Sequence, residues 1–162
     1  MTDQVNPVPD RLHTVTPRLV FRDAHKAIEF YKEAFGAETF GKPDTGPDGN
    51  VIHVEIRVGD SAVYLTQEGD NGGGDAVAPS SVGGRITAIM SLMVPDVDQL
   101  WRQAVAAGCE VIFDLEDQFY GDRSGRLRDP FGHQWILSSH IEDVSPDELE
   151  RRMKAMIDDH DS

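Results

Sequence analysis

At 162 residues with 39% apolar content, the chain has the size of one compact domain, long enough to bury well over half of the surface that its unfolded form exposes. Its 29 acidic against 15 basic residues leave a formal charge of -14. That balance argues against nucleic acid and anionic membranes as partners, because both are polyanions that reward clustered Lys and Arg. The start of the chain is polar, with Pro7 and Pro9, and has no apolar core of a signal peptide. The longest apolar run, 89–94, is interrupted by Ser91 and falls far short of the roughly 20 residues of a membrane span, so the expectation is a cytoplasmic protein. Cys109 is the sole cysteine, which rules out an internal disulfide, and its place before Val111-Ile112-Phe113 reads as a small core residue.

In chain order, residues 1–13 read as a flexible N-terminus. Residues 14–21 alternate, with Val15, Pro17, Leu19 and Phe21 on one face and Thr14, Thr16, Arg18 and Val20 on the other, as a half-buried strand does. Asp23 is placed to cap a helix to Phe35, with Ala27, Ile28, Tyr31 and Phe35 as its buried stripe and Gly36 as its left-handed stop. A strand at 38–41, a turn-rich stretch at 43–50, and a hairpin of 51–58 and 62–66 about Gly59-Asp60 follow. The Gly-, Ser- and Pro-rich stretch 67–85 reads as a mobile connector.

The same order then recurs. A strand at 87–94 leads to a helix capped by Asp96, ended by Gly108, and followed by strands at 111–115, 124–128 and 133–138 about an Asp129-Pro130-Phe131-Gly132 turn. This repetition is the signature of two stacked supersecondary units, 14–67 and 86–140, joined by 68–85 within a single domain, 14–140. The tail, 141–162, forms an acidic helix of its own, opened by Ser145-Pro146-Asp147-Glu148. Leu149, Met153, Met156 and Ile157 lie along one side of it, against the body or a partner subunit.

On strand 51–58 the alternation puts Ile52, Val54, Ile56 and Val58 on one face and His53, Glu55 and Arg57 on the other. In the second unit, Gln118 and Tyr120 share a side ahead of Gly121-Asp122-Arg123, and His133 follows the DPFG turn. Arg123 either pairs with Asp122, Asp129 or Glu116 or meets a ligand. Arg18 is expensive to bury alone, so it either pairs with Glu55 or meets an anionic ligand.

Two βαβββ units in tandem with a DPxG turn before the last strand resemble the vicinal-oxygen-chelate superfamily of glyoxalase I, extradiol dioxygenases, fosfomycin-resistance enzymes and bleomycin-resistance proteins. Thr14-Val15-Thr16-Pro17, Ile28-Glu29-Phe30-Tyr31, Phe35-Gly36-Ala37-Glu38, His53-Val54-Glu55 and residues 116–125 are similar to its PhnB-like branch. The resemblance implies an α+β fold of tandem βαβββ modules, whose curved mixed sheets surround a central cavity, with the C-terminal helix as an addition. It also implies a ligand site of the kind often shared by two chains, hence a homodimer. Metal-using members carry His or Glu at four inward strand positions. Here the matching residues are Thr16, Tyr64, Ile89 and Ile136, and isoleucine has no lone pair to offer.

The expectation is therefore a protein binding a small organic molecule with no cofactor. Arg18, His53, Glu55, Tyr64, Gln118, Tyr120, Arg123 and His133 are its candidate ligand-binding residues. The alternative is a lyase or isomerase, either metal-independent with Glu55 and His53 as acid and base or holding a divalent Zn, Ni, Mn or Fe on non-standard ligands such as His53, Glu55, His133 or Tyr64. His53 and Glu55 line the cavity or form the solvated face of an amphipathic strand.

Overall fold

Two aspartates start the same helix twice. The Asp23 carboxylate accepts the Lys26 N–H at 3.1 Å and opens α1, Ala24–Phe35, which Gly36 ends at φ 65°. Asp96 accepts the Gln99 N–H at 2.9 Å and opens α2, Val97–Ala107, ended by Gly108. Both ends satisfy backbone groups that a helix leaves unpaired, and glycine takes the left-handed stop without a Cβ penalty.

The computed structural model describes residues 5–69 and 74–160. Around α1 lie β1 (Arg18–Phe21), β2 (Glu38–Thr45), β3 (Val51–Val58) and β4 (Ser61–Gln67). Around α2 lie β5 (Ile89–Met93), β6 (Glu110–Asp117), β7 (Asp122–Arg128) and β8 (Gln134–His140). They form two four-stranded sheets, β1-β4-β3-β2 and β5-β8-β7-β6. Each is mixed, since β1 with β4 and β5 with β8 are parallel and the other pairs antiparallel. The tandem βαβββ architecture read from the repeat is the fold of the chain. Helix α3, Pro146–His160, starts where expected, with the Glu148 N–H donating to Ser145 Oγ at 3.3 Å.

The strands of the second unit shift by one or two residues from the sequence reading, and three differences are larger. β1 begins only at Arg18. Pro17 has no N–H to give a ladder, although its carbonyl accepts the Tyr64 N–H at 2.9 Å, and the 14–17 stretch leaves the sheet. β2 continues to Thr45 through register shifts after Phe40 and Asp44, bulges that local composition does not announce. The connector contains a short 3-10 turn, Pro79–Val82, pinned by the Glu68 carboxylate, which accepts from the Ala78 N–H at 2.8 Å and the Ser81 hydroxyl at 2.7 Å. Residues 70–73 of that connector lie outside the described residues.

The core lies between the helices and one face of each sheet, and it is aromatic where the two units meet. Tyr31 stacks on Phe35 at 5.6 Å and meets Trp135 at 5.4 Å, while Phe21 meets Phe131 edge-on at 5.4 Å. Such pairs add about 0.5–1.5 kcal/mol each beyond their burial. At the centre is Asp129, only 3% exposed. It accepts the Tyr31 hydroxyl at 2.6 Å, the Trp135 indole N–H at 2.9 Å and the Phe131 and His133 N–H groups at 3.0 Å. The DPFG turn thus joins α1 of the first unit to β8 of the second. Burial, with Asp129 beside it, pushes the Tyr31 hydroxyl well above its ordinary range.

Candidate functional site on the two open sheet faces

Because the helices cover one face of each sheet, the other face is left for chemistry, and strand register fixes what it carries. Across the first sheet, Arg18 pairs with Tyr64, Tyr64 with Glu55, and Glu55 with Phe40. Across the second, Ser91 pairs with Ile136, Ile136 with Arg126, and Arg126 with Phe113. The two rows occupy the same places in the repeat. Phe40, Met93 and Phe113 on these faces are 58%, 64% and 61% exposed.

In the first row Glu55 is 7% exposed and holds Arg11, whose Nε lies 3.1 Å from Oε1 and whose guanidinium sits 4.3 Å over the Phe40 ring. Arg18 does not pair with Glu55; it lies 5.5 Å from the Tyr64 ring centre. His53 meets Tyr64 edge-on at 4.7 Å, and its buried Nδ1 has no hydrogen-bond partner in the protein among the described residues. Arg18, His53, Glu55 and Tyr64 are therefore brought together. No hydrogen bond between His53 and Glu55 appears, so the two do not form a joined acid–base pair.

In the second row Gln118 and Tyr120 line a depression of about 190 Å³ with Phe113, Ser124, Arg126 and Ile136. Arg123 is elsewhere, committed to Asp98 at 2.9 Å and Asp117 at 3.0 Å rather than to Asp122, Asp129 or Glu116. Its hydrogen bonds hold the Asp98 carboxyl below the usual range. His133 is also apart. Its Nε2 donates to the Val20 carbonyl at 3.0 Å, since a carbonyl only accepts, and its ring lies against Phe21 at 4.9 Å. Cys109 is buried, and that burial pushes its thiol up to about 12, so it is inert packing.

A larger cavity of about 630 Å³ lies at the edge between the units, lined by His13, Thr16, Pro17, Asp60, Met93 and Trp135 among others. It touches none of the eight candidate residues, and size alone does not make it the centre of the chemistry.

Residue reading missed Arg11, Phe40, Phe113 and Arg126. The signal for Arg126 was present: it alternates with Ser124 and Arg128 as Glu55 does with His53 and Arg57. Arg11 lies 44 residues from Glu55, and no local period reports such a contact.

Two mixed sheets built from repeated βαβββ units define the fold class of glyoxalases and their resistance and dioxygenase relatives. The profile of the Glyoxalase/Bleomycin resistance protein/Dioxygenase superfamily matches residues 11–137, and the chain belongs to that superfamily. It is 40% identical over 145 residues to an uncharacterized protein of Mycobacterium bovis, across 89% of this chain and 94% of that one. Its fold is similar to the PhnB protein of Bacillus cereus, at TM-score 0.58 and 17% identity over 78% of this chain and 99% of that one. It is likewise similar to FosX, a fosfomycin resistance protein of Listeria monocytogenes, at TM-score 0.57 and 17% identity over 86% and 97% of the two chains.

Metal-using relatives need nitrogen or anionic oxygen donors, and Thr16, Tyr64, Ile89 and Ile136 do not supply a set of them. Among the described residues no three His, Cys, Asp or Glu side chains gather as a metal-holding group, and no helix is long and apolar enough to cross a membrane.

Proposed function

We propose that the chain is a cytoplasmic binding protein for a small organic molecule, of the sequestering or resistance type, and that it works without a catalytic metal as a homodimer whose second copy covers the open faces. The observation that carries this reading is that each open face holds an exposed ring and a buried, unpartnered nitrogen: Phe40 and His53 Nδ1 on the first, and Phe113 with Arg126 Nε on the second, the guanidinium 5.2 Å from the ring centre. Buried polar atoms are nearly always hydrogen-bonded in a finished structure, and rings flanking a few polar anchors are the usual make-up of a ligand site. Met153, Met156 and Ile157 on α3 are exposed as well, which supports a second copy as their cover. An acid–base enzyme is the weaker reading, because Glu55 is held by Arg11.

The test is a thermal-shift screen of planar aromatic compounds, with light scattering for mass and plasma mass spectrometry for metal. The expected result is a dimer of low metal content that several such compounds stabilise. About one transition metal per chain would overturn the metal-free part; a monomer that no compound stabilises would overturn the rest.

A further inference from the structure

The two rows differ at one place in a way that names the ligand's chemistry. Glu55 and Arg126 stand at the same repeat position, each beside a phenylalanine. The first charge is answered within the chain, by Arg11. The second is not. Arg126 lies 5.2 Å from the Phe113 ring centre, its Nε is buried without a partner, and its side chain forms no ion pair or hydrogen bond among the described residues. This holds in a chain with 29 acidic residues against 15 basic ones, where Arg11, Arg22, Arg57, Arg123, Arg128, Arg151 and Arg152 all have carboxylate partners. Arg18, Arg85 and Arg102 form no ion pair among the described residues either, but of these arginines Arg126 alone keeps a buried nitrogen without a partner. Asp114 lines the same depression yet does not pair with it.

We infer that Arg126 is the anion anchor of the site, taking the carboxylate or related oxoanion of a planar organic acid whose ring lies against Phe113 and Tyr120. This rests on the proposal that the open faces bind a small molecule. A guanidinium offers a planar fork of N–H donors that matches a carboxylate or phosphonate with two parallel hydrogen bonds, and a half-buried one gives up less to water on pairing. Gln118 and Ser124 line the same depression and add polar contacts. About 190 Å³ is below the roughly 300 Å³ of a drug-sized site, so the depression takes the acidic head and its ring, and the remainder of the ligand extends along the open face toward Ile89 and Met93.

The experiment uses benzoate and phenylphosphonate as probes and neutral benzamide as control. Binding is followed by calorimetry and by the 15N resonance of the Arg126 side chain in the wild type, Arg126→Lys and Arg126→Ala, with circular dichroism melts to establish that each variant folds. Both anions are expected to bind the wild type and move the Arg126 resonance, benzamide not to bind, and Arg126→Ala to weaken the anions roughly tenfold or more, with Arg126→Lys between. The stronger of the two anions distinguishes a carboxylate ligand from a phosphorus oxoanion.

Benzamide binding as well as benzoate, or anion affinity unchanged in a folded Arg126→Ala, overturns the inference while leaving the small-molecule reading intact. No binding of any probe, with Arg126→Ala splitting a dimer, assigns Arg126 to an acidic side chain of the second copy and also overturns it. If the wider aromatic screen fails too, the proposed function falls with it.

Discussion

The two units share a framework and differ in what fills it, and the difference separates scaffold from function. On the helix-covered side, Ile28 and Trp101 hold the same position after their caps at Asp23 and Asp96. Val54 and Gly125 likewise hold the same position in the sheets, opposite Leu65 and Leu137. A medium pair in one unit becomes a large and a null side chain in the other, so the volume is redistributed while the sheet keeps its register. On the open side, Glu55 with its internal Arg11 faces away from one sheet and the unanswered Arg126 from the other. Packing conserves the repeat through compensation, whereas the open faces have no such restraint and have diverged in charge.

The strongest way to break the comparison is to cut the joint between the units. Asp129→Ala leaves the Tyr31 hydroxyl and the Trp135 N–H buried without an acceptor, each costing about 1–3 kcal/mol, so a total loss of about 3–5 kcal/mol is expected. For a chain of this size that is a fall in melting temperature of roughly 10 °C. Tyr31→Phe, which removes one donor and leaves the rest of the Asp129 network in place, should cost visibly less. Equal losses would mean that the Tyr31–Asp129 hydrogen bond alone carries the joint and that the Trp135, Phe131 and His133 donors add nothing to it.

Next comes the volume exchange. A Cβ at Gly125 would stand 2.5 Å from the Trp101 ring, so Gly125→Ala is expected to cost about 1–3 kcal/mol through overpacking. Adding Trp101→Ile, the residue type of the first unit, should return part of that loss. A double variant less stable than either single one would show that the two positions do not compensate.

A smaller effect is expected on the open face. Arg11→Ala removes the counter-charge of Glu55, but the Arg11 side chain is 40% exposed, and water screens much of the interaction. The expected loss is about 1 kcal/mol or less, measured by denaturant melts against Arg126→Ala, which has no counter-charge to lose, gives up only its contact with the Phe113 ring and should melt close to the wild type.

The scaffold was legible because its signals are local. Asp23 and Asp96 cap the helices they were expected to cap, 51–58 alternates as β3 does, and Gly36 and Gly108 end both helices. The open faces were legible only by halves. Alternation put His53, Glu55 and Arg57 on one side and the family resemblance added Tyr64, but the partner of each depends on contacts between distant segments, such as Arg11 with Glu55 and Arg123 with Asp98, 25 residues apart. Several chemically equivalent partners were available for each arginine, and residue type could not choose among them. His133 illustrates the same limit, since its carbonyl partner Val20 lies 113 residues away, in the other unit.

The last pair of equivalent positions lies at the ends of β4 and β8, three residues after Leu65 and Leu137, which fix the register. Glu68 stands at one and His140 at the other. Glu68 accepts from Ala78 N–H and Ser81, which hold its carboxyl below the ordinary range. His140 lies 2.8 Å from Asp122 and 2.9 Å from Asp143, and these carboxylates raise it above its ordinary 6.5. The signs are therefore opposite. The Glu68 contribution is present above the ordinary carboxylate range and lost as pH falls through the lowered value. The His140 contribution is full below its unfolded pKa and lost as pH rises through the raised one. Melting temperatures of Glu68→Gln and His140→Gln against the wild type should accordingly separate at opposite ends. The Glu68→Gln deficit should be constant at neutral and alkaline pH and vanish in acid, while the His140→Gln deficit is greatest near pH ~6 and vanishes in alkali. The Glu68 side chain is partly exposed and that of His140 mostly so, and water screens both, so these are the smallest effects. A His140→Gln deficit that persists unchanged in alkali would mean that the neutral imidazole, through hydrogen bonding alone, fastens the end of β8 to β7.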